Sequence, residues 1–398
     1  MLNIKNHLSL LVMLIGAGVQ FLSSLLLYKF MDPVQYGLFG LFVTFLSIAF
    51  SFGLFGSEQT FMRLCSIDDK RVVVSRNVAM LIILCLLFGP VVLATMASMT
   101  FLKGISVIEL YLIALVAVVV MFGYNYQRML GNFVESQLLN NFWRISILVS
   151  LLWGFFFDVS FEVVYFVIAL SLVISAVFFL YRAYENSHVN IVINDDGVGY
   201  VSKLSLSFLF SMGVLTALSF FDRYLIGAKF SVKEFGEFFF LQNLFAHPFI
   251  LIANYFGFKG LVEYKNKFDL RKFNKRVILL SISAPIMAAV YIWFIVLMDN
   301  FRLVPFGLSD STSIIIPLAL FGCTRLVYST LSAAMGAKGN SIDVFIVNFI
   351  SIIFAIGVAW NLIHIDASIE MIAWSMVLLW VLRCALYYFG IRRSVSEI

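Results

Sequence analysis

The sequence predicts an all-α polytopic membrane protein of about 12 transmembrane helices, arranged as two six-helix halves. Three observations predict it. Of the 398 residues, 62% are apolar and only 12% are charged, whereas an ordinary soluble domain carries roughly 25% charged residues. Long stretches carry no Asp, Glu, Lys or Arg, and two short motifs recur about half a chain apart. A spanning helix takes about 20 mostly apolar residues, so twelve take about 240 and leave about 158 for thirteen tails and connections. No soluble catalytic domain fits in that remainder.

The spans follow in order. Ten uncharged runs are Leu8 to Tyr28, Tyr36 to Ser57, Val78 to Leu102, Leu110 to Tyr126, Ile145 to Phe157, Val163 to Tyr181, Leu204 to Phe221, Phe238 to Phe258, Val277 to Met298 and Val344 to Ile365. Two more, Ser311 to Ala337 and Met371 to Ile391, are each interrupted by one arginine, Arg325 and Arg383. The fifth run has only 13 residues and must borrow Leu138 to Arg144 to reach bilayer thickness. The first run is longer than the roughly 7 to 15 residues of a signal-peptide core and lacks a small-residue cleavage pattern, so it is expected to stay as a span.

Charge placement sets the orientation, because cytoplasmic loops carry the excess of Lys and Arg. With both termini inside, 19 basic residues fall on the cytoplasmic face, six (Lys29, Lys103, Arg223, Lys229, Lys233, Arg302) fall outside, and Arg325 and Arg383 lie within spans. The net charge of +5 is therefore mostly topology, which argues against a nucleic-acid partner. Cys65, Cys85, Cys323 and Cys384 form no CxxC pair, which argues against a disulfide framework and a zinc site.

The longest polar stretch, Arg182 to Lys203, contains Asn190, Asn194, Asp195, Asp196 and Gly197, the composition of a solvated linker. It divides the chain into an N-terminal half at 1–181, a cytoplasmic linker at 182–203 and a C-terminal half at 204–398. Tyr36-Gly37-Leu38-Phe39 after the first span returns as Phe235-Gly236-Glu237-Phe238 after the seventh. Gly131-Asn132 with Asn141-Phe142 returns as Gly339-Asn340 with Asn348-Phe349 before the eleventh. Duplicated halves are a mark of transporters. With six helices each, the halves would share one orientation and be related by a pseudo-twofold axis along the membrane normal.

At these residues the sequence resembles the polysaccharide-biosynthesis flippases, the Wzx-type O-antigen branch of the multidrug/oligosaccharidyl-lipid/polysaccharide (MOP) exporter superfamily. The resemblance rests on Tyr36-Gly37-x-Phe39, on Phe52-Gly53-Leu54 leading to Glu58 and Arg63, on Asp222-Arg223-Tyr224-Leu225-Ile226-Gly227, and on Phe235-Gly236-x-Phe238. It implies a MATE-like arrangement of helices in a bacterial plasma (inner) membrane. It also implies translocation of an undecaprenyl-diphosphate-linked oligosaccharide, such as an O-antigen or other surface polysaccharide repeat unit, from the inner to the outer leaflet without ATP hydrolysis by the transporter. The implied partners are that glycan lipid, membrane lipids and other polysaccharide assembly proteins; no cofactor, metal or catalytic residue is expected. The superfamily's drug exporters typically place an acidic residue in the first helix, and here none occurs from Met1 to Met31.

A diphosphate crossing about 30 Å of hydrocarbon needs cations along its path, and arginine suits it because its planar fork donates paired hydrogen bonds and keeps its charge. Arg325, midway along its span, reads as a substrate-binding cation or as half of a structural ion pair. Arg383 lies nearer the cytoplasmic end and is expected to snorkel there. Arg63, Arg223 and Lys29 are further substrate-binding candidates, against the plainer reading of interfacial helix-end charges. Glu58, Asp222 and His247 are gate or coupling candidates; His247 precedes Pro248 within the eighth span, where a kink is expected. Span amides such as Asn125, Asn348 and Gln242 read as sugar contacts or, more simply, helix-to-helix hydrogen bonds. The tryptophans are expected to mark membrane interfaces.

An ion-coupled multidrug or metabolite antiporter of the same fold is the alternative. It calls for carboxylates inside spans, where the sequence shows them only at helix ends and in loops. A membrane glycan polymerase or ligase would need a long outer loop, and no Walker A, HExxH or nucleophile-elbow pattern occurs.

Overall fold

The computed structural model of the chain describes residues 4–68, 71–154, 158–185, 189–192, 197–301, 308 and 312–396. Lys70, Asn194, Asp195, Asp196 and Arg302 lie outside the described residues. The order of elements is α1 (Ile4–Phe30), α2 (Pro33–Phe52), α3 (Ser57–Leu64), β1 (Ser66–Asp68), β2 (Arg71–Ser75), α4 (Arg76–Thr100), α5 (Val107–Met129), α6 (Phe133–Gly154), α7 (Phe161–Glu185), β3 (Val189–Val192) and α8 (Val198–Lys229). There follow α9 (Val232–Phe245), α10 (His247–Asn266), α11 (Leu270–Asn300), α12 (Thr312–Lys338), α13 (Ser341–His364) and α14 (Ile369–Ser396).

Each of the twelve expected segments coincides with helix. Among the described residues nine helices are long and apolar enough to span a membrane, with α2 and α3 forming one of them, and the bent pair α9/α10 makes ten. Of the two long helices that remain, α1 contributes a shorter apolar stretch, Leu14–Phe30. The other, α6, is the expected weak fifth span; its first half carries Glu135, Asn140, Asn141 and Arg144. The chain turns by 50° between Phe245 and His247, so the kink expected at His247-Pro248 is present. Proline occupies the first turn of α10, where its missing N–H costs nothing.

Two compact units emerge, Met1–Gly236 and Glu237–Ile398. This packing boundary lies beyond the linker that the sequence reading places at 182–203, because α8 packs on α2, α3 and α4 of the first unit. In that unit α1 packs most closely on α6, and α5 on α4, α6 and α7. In the second, α12 is central, touching α10, α11 and α14, while α13 rests on α14. Its core gathers Phe249, Ala253, Leu280, Ala284, Ala288, Ala319, Cys323 and Leu326. The alanines let helix backbones approach, which is how spans associate without a hydrophobic drive between them.

Within the first unit the two copies of the repeated aromatic-glycine motif meet. A side chain on Gly37 would collide with the carbonyl oxygen of Val232, four residues before Gly236. A Cβ on Gly236 would fall 2.9 Å from the carbonyl oxygen of Pro33, four residues before Gly37. Each copy thus offers its glycine to the same backbone position of the other, a reciprocal contact of the kind made by self-complementary surfaces.

Part of the linker is paired as strand. β3 pairs in parallel with β2, Val72 opposite Val189 and Ser75 opposite Val192, and β1 pairs antiparallel with β2. Val72-Val73-Val74 is β-branched and suits the strand, and Ser75 then caps α4 by accepting from the Val78 N–H. This small sheet joins two connections that the charge count assigns to the same face. Successive N–H groups of β3 point to opposite edges, so one of Asn190→Pro and Ile191→Pro removes a bond to β2. Faster hydrogen exchange at Val72 to Ser75 in one of these variants, and not in the other, checks the pairing.

Candidate functional site

In the second unit, spacing and packing assemble a cationic and aromatic cluster. Trp380, Arg383 and Tyr387 are three and seven residues apart, which sets them on one face of α14; Arg325 and Tyr328 share a face of α12. Because α12 packs on α14, the two faces meet. The Arg325 guanidinium carbon lies 4.0 Å from the centroid of the Trp380 ring, well inside the roughly 6 Å limit for cation–π attraction. The Arg383 guanidinium stands over the same indole at 5.8 Å, over Tyr387 at 5.1 Å and over Tyr328 at 5.2 Å.

Arg383 is only 2% exposed. Its Nη2 donates to Asn348 Oδ1 and to the Tyr387 hydroxyl, both at 3.1 Å. Among the described residues its Nε and Nη1 have no hydrogen-bond partner. The expectation that Arg383 snorkels toward the surface is therefore corrected: the aromatic rings of α12 and α14 enclose the head as well as the stem. Trp380 and Trp143, 1% exposed each, are likewise core residues rather than interface markers. Asn348 serves between helices as expected, from α13 to α14.

The first unit holds a smaller counterpart. Arg144 on α6 donates from Nη1 to Asn141 Oδ1 at 3.1 Å and lies 5.3 Å from the Trp143 ring; Trp143 stacks on Phe50. Asn141 and Asn348 are the two asparagines of the sequence repeat, and both accept from an arginine. The sequence repeat does not reveal this shared pairing, because Arg144 follows its asparagine on the same helix, whereas Arg383 comes from the neighbouring one.

The remaining candidates are dispersed. Lys29 is exposed in the last turn of α1, and Arg63 in the last turn of α3. Asp222 is fully buried in α8, with Arg223 beside it 5.8 Å from the Phe220 ring. His247 is half-buried at the α9/α10 bend. Glu58 stands in the first turn of α3 after Gly56, whose φ of 75° opens the turn. It is 4% exposed, and its Oε2 has no partner among the described residues. Since α2 and α3 form one apolar span, Pro33–Leu64, Glu58 is a carboxyl within a span, as Asp222 is within Val198–Lys229. That corrects the reading that spans carry none.

With this geometry in view, the comparisons with solved structures are decisive for the fold. One neighbour is the outward-facing conformation of a multidrug resistance MATE family transporter of the MOP superfamily, at 14% identity and TM-score 0.52 over 98% of this chain and 95% of that one. Another is a MATE protein in its bent conformation, at 15% identity and TM-score 0.53 over 99% and 94%. A third is a MATE protein in complex with MaD3S, at 15% and 0.53 over 98% and 96%. The chain has the MATE fold. No family model and no curated protein sequence matches it. With nine or ten helices long and apolar enough to span a membrane among the described residues, this fold is that of a multi-pass membrane protein, and it is on this frame that α12 and α14 bring Arg325 and Arg383 to one indole.

Proposed function

We propose that this chain is a flippase for a polyprenyl-diphosphate-linked oligosaccharide, working by alternating access in a bacterial plasma membrane with both termini cytoplasmic. The observation that carries the reading is the pairing of Arg325 and Arg383 on Trp380. Two arginines on adjacent spans, closed among tyrosines and an asparagine in this structure, supply fixed charge and directed N–H groups for an anionic headgroup once movement of α12 against α14 opens the cluster. Aromatic faces and the Asn348 amide beside them suit sugar rings and hydroxyls. Arg63, Arg223 and Lys29 lie toward helix ends, where they serve as way stations for the diphosphate. Two six-helix halves, 1–181 and 204–398, rocking about the linker provide the alternation.

The test is translocation by the full chain in vesicles loaded on one leaflet with a polyprenyl-diphosphate oligosaccharide, read by lectin access to the other. Cells lacking the chain are expected to accumulate the lipid-linked repeat unit on the cytoplasmic face. Its normal appearance on the outer face would refute the proposal.

One observation favours the antiporter instead. Glu58 is a buried span carboxyl with an oxygen free of partners among the described residues, the kind of group that binds a coupling cation or proton. Export of a cationic drug driven by a proton or sodium gradient, and abolished in Glu58→Gln, is the expected result of that reading.

A further inference from the structure

A cavity of about 240 Å³ lies in the first unit between α3, α4, α5 and α7, beneath strand β2. Phe61, Val74, Ile82, Phe122, Tyr126 and Phe179 are among its lining residues, with Ala79 and Ala183 at its edge toward β2. Its walls expose only apolar surface. Roughly 150 Å³ of apolar space already accommodates a benzene ring, so this volume takes a segment of hydrocarbon chain. The stripe that lines it on α4 runs into lipid-facing surface: Ile83 is 57% exposed, and Leu87 and Phe88 continue outward along the helix.

Charge at the rim completes the pattern. Arg76 follows Val74 by two residues and precedes Ala79 and Ile83 by three and seven, which places it at the β2 end of the same helix face; it is exposed. Arg182, next to Ala183, is held by Glu135 at 2.7 Å and Glu185 at 3.1 Å, so it braces α7 against α6. An apolar slot, open toward lipid and with an exposed cation at its polar end, matches one kind of molecule. We propose that this cavity binds an acyl chain of an anionic phospholipid from the leaflet on the β2 side, with Arg76 at the headgroup. The site is independent of the glycan-transport reading: it lies on the lipid-facing side of α4 and does not involve Arg325 or Arg383.

Photolabelling tests it. The full chain is reconstituted in vesicles containing phosphatidylglycerol with a diazirine in its acyl chain, irradiated and mapped by peptide mass spectrometry. Adducts are expected to concentrate on α4, α5 and α7 around the cavity. Ala79→Phe and Ala183→Phe, which fill it, should lower that yield about tenfold, equivalent to forgoing burial of two methylene groups. Adducts on the exposed face of α1 (Leu11, Leu14, Leu22), in the same unit, should stay unchanged and certify that the variants fold. Arg76→Gln should lower labelling by the phosphatidylglycerol probe and not by its phosphatidylcholine analogue. Labelling spread evenly over lipid-facing helices, or unaltered in Ala79→Phe, overturns the proposal. So does displacement by polyprenyl phosphate at a small mole fraction, since the cavity would then belong to an isoprenoid chain.

Discussion

Gly37→Ala is expected to destabilise the purified chain far more than the same added methyl group at Gly236 or Gly18. The new Cβ meets the Val232 carbonyl oxygen, a backbone atom that no rotamer change can move, so the backbone at Gly37 and at Val232 must shift apart. Overpacking of this kind costs about 1–3 kcal/mol and more where the neighbour cannot yield; the upper end applies here. Gly236→Ala should be milder, because its nearest neighbours stand at 2.9 and 3.0 Å. Gly18→Ala on α1 meets nothing within 4 Å and should gain about 0.5–1 kcal/mol of helix propensity. Thermal unfolding of the three variants in detergent checks the ranking, and equal stability of Gly37→Ala and Gly18→Ala would refute it.

The second large effect is at Arg383. Methionine there keeps the stem's packing and removes the charge and the bonds to Asn348 and Tyr387. Removing the buried charge relieves its desolvation but leaves the Asn348 Oδ1 without its donor, so Arg383→Met should stay folded with stability within about 1–3 kcal/mol of the parent chain. Transport of a diphosphate-linked substrate should nevertheless fall about 100-fold, the equivalent of losing one or two charge-assisted hydrogen bonds. Arg383→Lys, with a point charge in place of a planar fork, should restore part of it. A purely structural arginine predicts the opposite pattern, with transport surviving in Arg383→Met.

Legibility in the sequence followed the range of the interactions. The spans were readable because apolar composition over about 20 residues is a local property. Arg325 was identified as special from its mid-span position alone. Arg383 was not, since its burial depends on Tyr328 arriving from α12 and Asn348 from α13. Both copies of the aromatic-glycine motif were visible, yet nothing local announces that Gly37 and Gly236 touch. The strands escaped notice because β3 is four residues long and acquires its partner from a loop more than 110 positions earlier. Glu58 read as a helix-end charge because the break at Gly53 to Gly56 looks like the end of a span, when α3 continues it.

The small sheet also sets a length scale. Unpaired, the thirteen Cα-to-Cα steps from Glu185 at the end of α7 to Val198 at the start of α8 could reach about 45 Å when extended. With Val192 fixed opposite Ser75, only six Cα-to-Cα steps remain before Val198 begins α8, a reach of about 20 Å. The connection is a short leash with a defined stroke. However the chain moves during a transport cycle, the first turn of α8 stays within that radius of the sheet unless β3 peels away, so strand pairing caps the travel of the helix that carries Asp222 and Arg223.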